Sequence, residues 1–322
     1  TFVTSTEEFS EPPATQAKLI EGMLFLSGGT TLKGFGKAAG IPAATWSSGG
    51  SLNTARDGAG ASGANNSAAL LFGGNPSNKT ETESYNGSSW TEVADLNTGR
   101  SYLGGQGTYT AALAFGGQTP SKVANTESWD GSSWTEVNDL NTARSNLASG
   151  SLTAPKSFAV GGYVTTVRAE VESWDGTSWT EVAEMNTARN GPFLSGDSSN
   201  AICSGGSIEP GVQTKAELWD GSAWTETGDL NTARYNGGAA GTSSGALIFG
   251  GSNQGGTRDA ETESWNGSSW AEVNDLSTAR NYQDGAGAAS INAIFAGGTT
   301  GTASNATEEF TADNALSTVT VS

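Results

Sequence analysis

Histidine is absent from the 322 residues of this chain, and cysteine occurs once, at Cys203. Without histidine there is no Ser-His-Asp triad, no imidazole base and no histidine-ligated metal site, and a single thiol forms neither an intrachain disulfide nor a cysteine cluster for a metal. Basic residues are scarce as well: 15 Lys and Arg stand against 33 Asp and Glu, a net charge of −18 that argues against general nucleic-acid binding. No apolar run approaches the roughly 20 residues of a membrane helix, and no charged-then-apolar start predicts a signal peptide. The sequence therefore predicts no cofactor, no metal site and no membrane insertion.

Internal repetition dominates what is present. The block TESWDGSSWTEVNDLNTAR at 126–144 returns with small changes at 82–100, 171–189, 216–234 and 262–280, and a partial copy ends at Arg56. Six tryptophans recur at intervals of 44 to 46 residues: Trp46, Trp90, Trp134, Trp179, Trp224 and Trp270. Six arginines keep the same intervals: Arg56, Arg100, Arg144, Arg189, Arg234 and Arg280. Gly-Gly pairs occur seven times on this period, at 28–29, 73–74, 116–117, 161–162, 205–206, 250–251 and 297–298. The chain is therefore predicted to be an array of similar units.

Each unit is predicted to form four short β-strands. A small, Gly/Ala-rich stretch comes first, an apolar run such as AALAFGG second, and a Glu-x-aromatic segment third. An Asp-Gly or Asn-Gly turn then leads to the alternating segment SWTEV. Small residues on the first strand and bulky residues on the last fit the blade of a propeller, whose innermost strands crowd around an axis. The predicted fold class is an all-β propeller.

These units resemble the kelch repeat family. The shared marks are the apolar run into Gly-Gly, an aromatic residue 11 to 14 residues later, and a tryptophan five residues after that. The resemblance covers nearly the whole chain and implies a kelch-like β-propeller. The wording SWDGSSWTEV, DLNTAR and ALAFGG, with the stretch EGMLFLSGGTTLKGFGKAAGIPAATW, resembles kelch-like repeat proteins of aquatic bacteriophage virions and tails. That second resemblance implies a virion location and a structural or host-attachment role.

The number of blades is open between seven and six. Seven glycine pairs favour seven four-stranded blades, and we expect seven, with 1–11 as an N-terminal strand or attachment segment and 12–322 as the propeller. Unit boundaries are predicted near the six repeat arginines. Six tryptophan and arginine blocks favour the alternative of six blades, in which the Trp46 strand closes the last blade (281–312) and 1–42 forms a separate segment.

The repeated residues are predicted to hold the blades together. We expect the glycine pairs to adopt conformations that need glycine, the tryptophans to pack blade against blade, and the arginines to bond backbone carbonyls or an acid such as Asp95 or Asp139. Repeated acids such as Glu81 and Glu83 are expected on a solvated rim, because a glycosidase needs two unequal carboxylates at one place. Cys203, in the apolar strand AICSGG, is expected to be a buried small hydrophobe.

Basic residues in the variable connections are the candidate site. Five of them follow the glycine pair, one in each unit: Lys79, Lys122, Arg168, Lys215 and Arg258. Because strands alternate in direction, loops 2–3 and 4–1 should emerge on one face of the ring. Variable loops on a rigid scaffold commonly carry binding specificity, and Tyr163 or Tyr109, which are not repeated, are the aromatics expected to stack on a sugar. The alternative is that these basic side chains only keep exposed loops soluble.

We predict from these observations a non-enzymatic binding module of a phage virion or tail, or of another displayed surface, that recognises host glycan or a partner protein through its variable loops. The predicted partners are other virion or tail structural proteins and host-surface glycan, not nucleic acid. Two alternatives stay open. One is a purely structural decoration or assembly protein, docked through 1–42 or the C-terminal STVTVS. The other is a carboxylate-based enzyme acting on polysaccharide. No catalytic residue is assigned.

Overall fold

A computed structural model describes residues 24–27, 31–35, 44–150, 154–208, 211–312 and 316–318. The chain divides into two compact units, one of residues 1–44 and 312–322 and the other of residues 45–311. In the first unit, the strands Leu24–Ser27, Thr31–Phe35 and Leu316–Thr318 form a three-stranded antiparallel sheet with Thr31–Phe35 at its centre. The predicted boundary between 1–11 and 12–322 lies outside the described residues.

The second unit consists of six four-stranded antiparallel sheets, or blades, within the described residues. In each blade the innermost strand is named first and the outermost last. They are Gly60–Asn65, Ala68–Phe72, Thr82–Tyr85 and Trp90–Val93 (blade 1); Gly104–Thr108, Ala111–Phe115, Thr126–Trp129 and Trp134–Val137 (blade 2); Ala148–Ser149, Phe158–Val160, Val171–Trp174 and Trp179–Val182 (blade 3); Phe193–Asp197, Asn200–Ser204, Ala216–Trp219 and Trp224–Glu226 (blade 4); Gly238–Thr242, Gly245–Phe249, Thr262–Trp265 and Trp270–Val273 (blade 5); and Gly285–Ala289, Asn292–Ala296, Thr307–Thr311 and Thr45–Ser48 (blade 6). A 3-10 helix, Ala154–Lys156, and a small hairpin, Ser207–Ile208 with Gly211–Val212, complete the unit.

The innermost strands contact one another in a closed circle, so the unit is a β-propeller, as the sequence predicts. The expectation of seven blades is wrong, and the six-bladed alternative is confirmed. Thr45–Ser48 supplies the outermost strand of blade 6, where Trp46 lies opposite Phe310. The strands on either side of Gly28 and Gly29 pair with each other and not with a blade, which is why the seventh glycine pair marks no seventh blade.

Each repeat arginine is buried, with no exposed surface, between two successive units. Arg144 Nη1 lies 2.5 Å from Glu172 Oε1, and its Nη2 donates to the carbonyl oxygen of Ala159 at 3.3 Å. The second carboxylate oxygen of Glu172 accepts hydrogen bonds from the backbone N–H and the side chain of Asn141, at 2.7 and 2.8 Å. Equivalent ion pairs of 2.5 to 2.9 Å join Arg56 to Glu83, Arg100 to Glu127, Arg189 to Glu217, Arg234 to Glu263 and Arg280 to Glu308.

This network confirms the predicted bonds to backbone carbonyls and corrects two other expectations. The acid that pairs with each arginine is a glutamate of a third strand and not Asp95 or Asp139. These two aspartates accept hydrogen bonds from the backbone N–H of Thr82 and Thr126. Glu83 is also not on a solvated rim: it is 1% exposed. A buried arginine with several donors needs a carboxylate beside it, since an unpaired charge in the interior is costly.

The other repeated residues pack as predicted. Trp134 of blade 2 meets Phe72 of blade 1 at 4.8 Å between ring centroids, and its indole N–H donates to Thr82 Oγ1 at 3.1 Å. Gly73 has a φ of +70°, and a Cβ there would lie 2.6 Å from the carbonyl oxygen of Arg100. Cys203 is fully buried, and desolvation raises the pKa of its thiol to about 12.

Candidate functional site

The connections of the propeller separate onto two faces. The links from second to third strands and the links between blades occur together on one side, which we call the loop face. They meet there through single backbone bridges, such as Ser145 with Tyr163 and Tyr235 with Ser252. The other side, which we call the turn face, carries the tight turns of each blade. The alternation of strand direction predicts this arrangement.

At the axis of the loop face, six backbone groups form a closed ring of hydrogen bonds. In every blade, the residue two positions after the repeat arginine donates its N–H to the carbonyl oxygen of its counterpart in the preceding blade, at N···O distances of 2.5 to 3.0 Å. The six residues are Gly58, Tyr102, Asn146, Gly191, Asn236 and Tyr282. All six have φ values between +50° and +59°. The ring therefore requires the left-handed backbone conformation, which glycine and asparagine adopt most readily.

Tyr102 and Tyr282 depart from that preference. A bulky side chain at positive φ costs on the order of 1–3 kcal/mol, and such strain concentrates at functional sites. Their rings meet edge to face, with centroids 5.6 Å apart and planes at 68°. Gly58 lies under Tyr102, where a Cβ would come within 2.9 Å of the tyrosine ring. Two tyrosines thus occupy positions at which sister units have small or amide side chains.

The Tyr235 side chain forms a hydrogen bond with Tyr282. We call Tyr102, Tyr235 and Tyr282 the axial tyrosines. Each is half-buried. Burial raises the pKa of the Tyr235 hydroxyl, and a charge on Tyr282 and a hydrogen bond to it act in the same direction. Burial also raises the pKa of Tyr102, with Asp57 and then Tyr282 adding to the effect. The hydroxyls of Tyr102 and Tyr235 are therefore neutral near pH 7 and able to donate hydrogen bonds.

A cleft of about 310 Å³ opens beside these residues, and we call it the axial cleft. Its walls come from the loops of blades 3 to 6. Gln254 Oε1 accepts a hydrogen bond from the backbone N–H of Val212 at 2.6 Å and so joins the loop of blade 5 to the hairpin of blade 4. The lining residues are Asn146, Asn190, Ser207, Ile208, Gly211, Val212, Tyr235, Asn236, Gln254 and Tyr282. None of these ten residues carries a charge.

The structure places three of the five predicted basic residues in ion pairs with neighbouring acids. Lys79 lies 3.3 Å from Glu81, Arg168 lies 2.5 Å from Glu170, and Lys215 lies 2.7 Å from Glu226. Lys215 also stands two residues beyond the position that Lys79 and Arg168 share. The repeat arginines show this, because they bond the carbonyl oxygen of Lys215 in one unit and of Glu81 in another. These three side chains therefore offset local acids.

The remaining predicted site residues lie apart from those pairs. Lys122 Nζ lies 5.0 Å from the centre of the Tyr163 ring, a cation–π contact on the loop face. Arg258 lies beside Gly301 of blade 6, and within the described chain it forms no ion pair. Tyr109, the second predicted aromatic, is 46% exposed on the turn face. The role of all these residues stays a prediction.

Sequence reasoning missed the axial tyrosines. The signal lies at the two positions that follow each repeat arginine, where the units read Asp-Gly, Ser-Tyr, Ser-Asn, Asn-Gly, Tyr-Asn and Asn-Tyr. Nine of these twelve positions hold glycine, serine, asparagine or aspartate, and the other three hold Tyr102, Tyr235 and Tyr282. A comparison of the units at these positions singles the three tyrosines out.

Asp284 lies below the backbone ring, inside the central channel. It lines a cavity of about 40 Å³ together with residues from all six blades. Its Oδ2 accepts a hydrogen bond from Ser149 Oγ, 3.4 Å away across the ring in blade 3. Burial raises the pKa of Asp284 to about 8, and the hydrogen bond from Ser149 only partly opposes this. The carboxyl is therefore largely protonated at neutral pH.

We expect Asp284→Asn to stabilise the protein at alkaline pH. Between pH 4 and pH 8 the folded carboxyl stays protonated while the unfolded one ionises, so the folded state binds more protons and stability falls as the pH rises. Asparagine removes this loss and keeps an acceptor for Ser149. The free energy of unfolding should rise by about 1–3 kcal/mol at pH 9 and by close to zero at pH 4. The value at pH 9 is below what the full pKa shift implies, because Asp284 keeps some contact with water.

Denaturant unfolding at pH 4, 7 and 9 measures this effect. Asp130→Asn on the turn face is the matched control, since its pKa is lowered to about 2 by the hydroxyl and N–H of Ser132 and the N–H of Ser133. Asn86 and Asn266 occupy that position in sister blades. The control should show no stabilisation that grows with pH. An Asp284→Asn gain that is equal at pH 4 and pH 9 would contradict the assignment.

The described residues hold no helix long and apolar enough to span a bilayer. Among those same residues, no group of three or more cysteine or acidic side chains is arranged to hold a metal ion.

Comparison with known proteins places the architecture in a recognised class. No model of a protein family matches the chain, and no curated protein matches it in sequence. Among solved structures, YjhT superposes with a TM-score of 0.68 at 13% identity, over 84% of this chain and 99% of that chain. At this identity the likeness shows the fold alone. The chain is a six-bladed β-propeller.

Proposed function

We propose that this chain is a non-enzymatic binding module, displayed on a phage virion or tail or on a comparable surface, and that its loop face recognises a glycan of the host surface. The observation that carries the proposal is the set of axial tyrosines beside the cleft. They are not repeated, and two of them hold a backbone conformation that disfavours their bulk.

The repeated side chains leave few other groups for recognition. The arginines, their glutamate partners and all the repeat tryptophans except the half-buried Trp46 are buried in the contacts between blades. On the turn face, residues such as Asp130 and Asp175 are occupied by hydrogen bonds from their own turns, which lower the pKa of both carboxyls. The loop face is where units of nearly identical sequence differ most, and a rigid scaffold with variable loops suits binding.

The non-enzymatic part of the proposal rests on the axial cleft. General acid–base chemistry needs a titratable group within hydrogen-bond reach of the substrate. The ten residues that line the cleft offer amides, hydroxyls and backbone groups, but no carboxylate, amine or thiol. Of its two tyrosines, Tyr235 has a pKa that burial raises, which makes its hydroxyl a poorer acid near pH 7. Such a cleft can position a ligand by contact and hydrogen bonding.

Adsorption of the labelled, purified chain to a panel of aquatic bacteria tests the function. The loop-face variant Lys122→Ala/Tyr163→Ala/Arg258→Ala removes three predicted site residues that make no ion pair with an acid among the described residues. We expect a strain that binds the parent chain to bind this variant at least about fivefold less, in line with the loss of a few interface side chains.

The turn-face variant Tyr109→Ala/Lys156→Ala is the matched control and should adsorb like the parent. Equal adsorption of parent and loop-face variant, or equal losses for the loop-face and turn-face variants, would argue against recognition through the loop face. Release of reducing sugar from cell-wall polysaccharide by the parent chain would contradict the non-enzymatic part of the proposal.

A further inference from the structure

The charge around the axial cleft restricts the ligands that it can accept. The whole chain has a net charge of −18. None of the ten lining residues is basic, and Lys79, Arg168 and Lys215 elsewhere on the loop face are paired with acids. Lys122 and Arg258, which form no ion pair within the described residues, do not line the cleft. A carboxylate or sulfate in the cleft would therefore lose its hydration and gain no counter-charge, in a field that repels anions. The cleft favours a neutral ligand.

The walls of the cleft combine flat apolar faces with hydrogen-bonding groups. Tyr235 and Tyr282 each present an aromatic ring that carries a hydroxyl. Asn146, Asn190 and Asn236 add amide groups beside these rings. Asn190 Oδ1 is buried and accepts no hydrogen bond within the described part of the chain. A buried acceptor without a donor is unfavourable by about 1–3 kcal/mol. A rotation of the Asn190 side chain that brought Oδ1 to a ligand hydroxyl would relieve this cost.

A pyranose ring is complementary to both kinds of group. Its axial C–H bonds form an apolar face that stacks on an aromatic ring, while its hydroxyls lie around the rim, where amide groups can bond them. The volume of about 310 Å³ is at the lower end of the range for ligand pockets, which suits the short end of a chain. A charged sugar could pack against the same rings, but its charge would have no counter-charge among the lining residues.

We propose, building on the function proposed above, that the axial cleft binds the neutral terminal sugar of a glycan, a hexose or an N-acetylhexosamine. Tyr235 and Tyr282 pack against the C–H face of the sugar ring. Asn190 Oδ1 accepts a hydrogen bond from one of its hydroxyls. The hairpin Ser207–Ile208 with Gly211–Val212 forms the outer wall.

The sister units supply variants that keep the fold. Asparagine already holds the position of Tyr282 in blades 3 and 5, at Asn146 and Asn236, with the same left-handed conformation. Serine holds the position of Tyr235 in two other units, at Ser101 and Ser145. Tyr282→Asn and Tyr235→Ser therefore remove the aromatic side chains and use residues that sister units have at the same positions.

A glycan array that carries neutral hexose- and N-acetylhexosamine-terminated oligosaccharides, with sulfated and sialylated versions of the same cores, is the test. The parent chain should bind one or more neutral probes and bind their charged versions at least about tenfold more weakly. Tyr282→Asn and Tyr235→Ser should each weaken the neutral binding by about tenfold through loss of an aromatic contact. Tyr109→Ala, which removes an exposed tyrosine from the turn face, should leave it unchanged.

Three outcomes would overturn the inference. They are stronger binding of the charged probes, binding that survives both tyrosine substitutions, and an array without any bound probe. If the array is silent while the loop-face variant still loses adsorption to cells, binding through the loop face stands, but the glycan is wrong and a surface protein is the ligand. If the array is positive and cell adsorption does not depend on the loop face, the cleft binds sugar but the proposed cellular role fails.

Discussion

Arg144→Ala should lower the free energy of unfolding by about 3–5 kcal/mol, because it leaves the carboxylate of Glu172 buried without its cation. Arg144 and Glu172 are both fully buried, and their ion pair lies between successive units. The remaining donors to Glu172, from Asn141 and Thr142, cannot replace a full positive charge. Denaturant unfolding followed by tryptophan fluorescence measures the loss.

Arg168→Ala is the matched control for this substitution. Its pair with Glu170 has the same 2.5 Å distance, but the two side chains are 31% and 22% exposed, so the expected loss is below about 1 kcal/mol. The double variant Arg144→Met/Glu172→Met should be more stable than Arg144→Ala, since it leaves no unpaired charge. Equal losses for Arg144→Ala and Arg168→Ala would show that burial does not set the cost.

Trp46→Ala should lower the free energy of unfolding by about 3 kcal/mol, and its effect should be concentrated where blade 6 contacts blade 5. The Trp46 ring lies 4.9 Å from Phe249 of blade 5 and 5.1 Å from Phe310 of blade 6, and its N–H donates to Thr262 Oγ1 at 3.0 Å. Among the described strands, Thr45–Ser48 pairs with Thr307–Thr311 and with no other. Loss of the indole therefore weakens the step that closes the ring.

Hydrogen exchange resolves where the protein opens. In Trp46→Ala, amides of Thr307–Thr311 should exchange faster, while those of Thr126–Trp129 in blade 2 keep their protection. Ser47→Ala, an exposed change in the same strand, should alter stability by less than about 0.5 kcal/mol. Faster exchange in all six blades alike would mean that Thr45–Ser48 has no special role in closure.

The repeats predict the strands well because each blade is built from local patterns. The Gly-Gly pair, the Asp-Gly turn and the alternating SWTEV segment each determine structure within a few residues, so four strands and their order follow from one unit. Blade number is not local. The closing strand at Trp46 pairs with Phe310, 264 residues away, and a count of glycine pairs gives no information about that pairing.

The candidate site can be predicted only in part, because it also depends on contacts between residues far apart in the sequence. The five basic residues are predicted site residues because each follows a glycine pair. The structure pairs Lys79, Arg168 and Lys215 with acids whose positions the spacing does not give. The axial tyrosines come together only when six connections meet at one axis. In sequence they are separate exceptions at Tyr102, Tyr235 and Tyr282. The left-handed ring that contains Tyr102 and Tyr282, and that Tyr235 precedes by one residue in its unit, is a property of the closed fold.

The pairing of Thr45 with Thr311 determines where the chain enters and leaves the six blades. These two residues are register partners in neighbouring strands, so the chain passes into and out of the six blades through points only about 5 Å apart. Both points lie on the turn face, opposite the axial tyrosines. A ring with this geometry can be inserted into a single surface loop of another protein without forcing the ends of that loop apart.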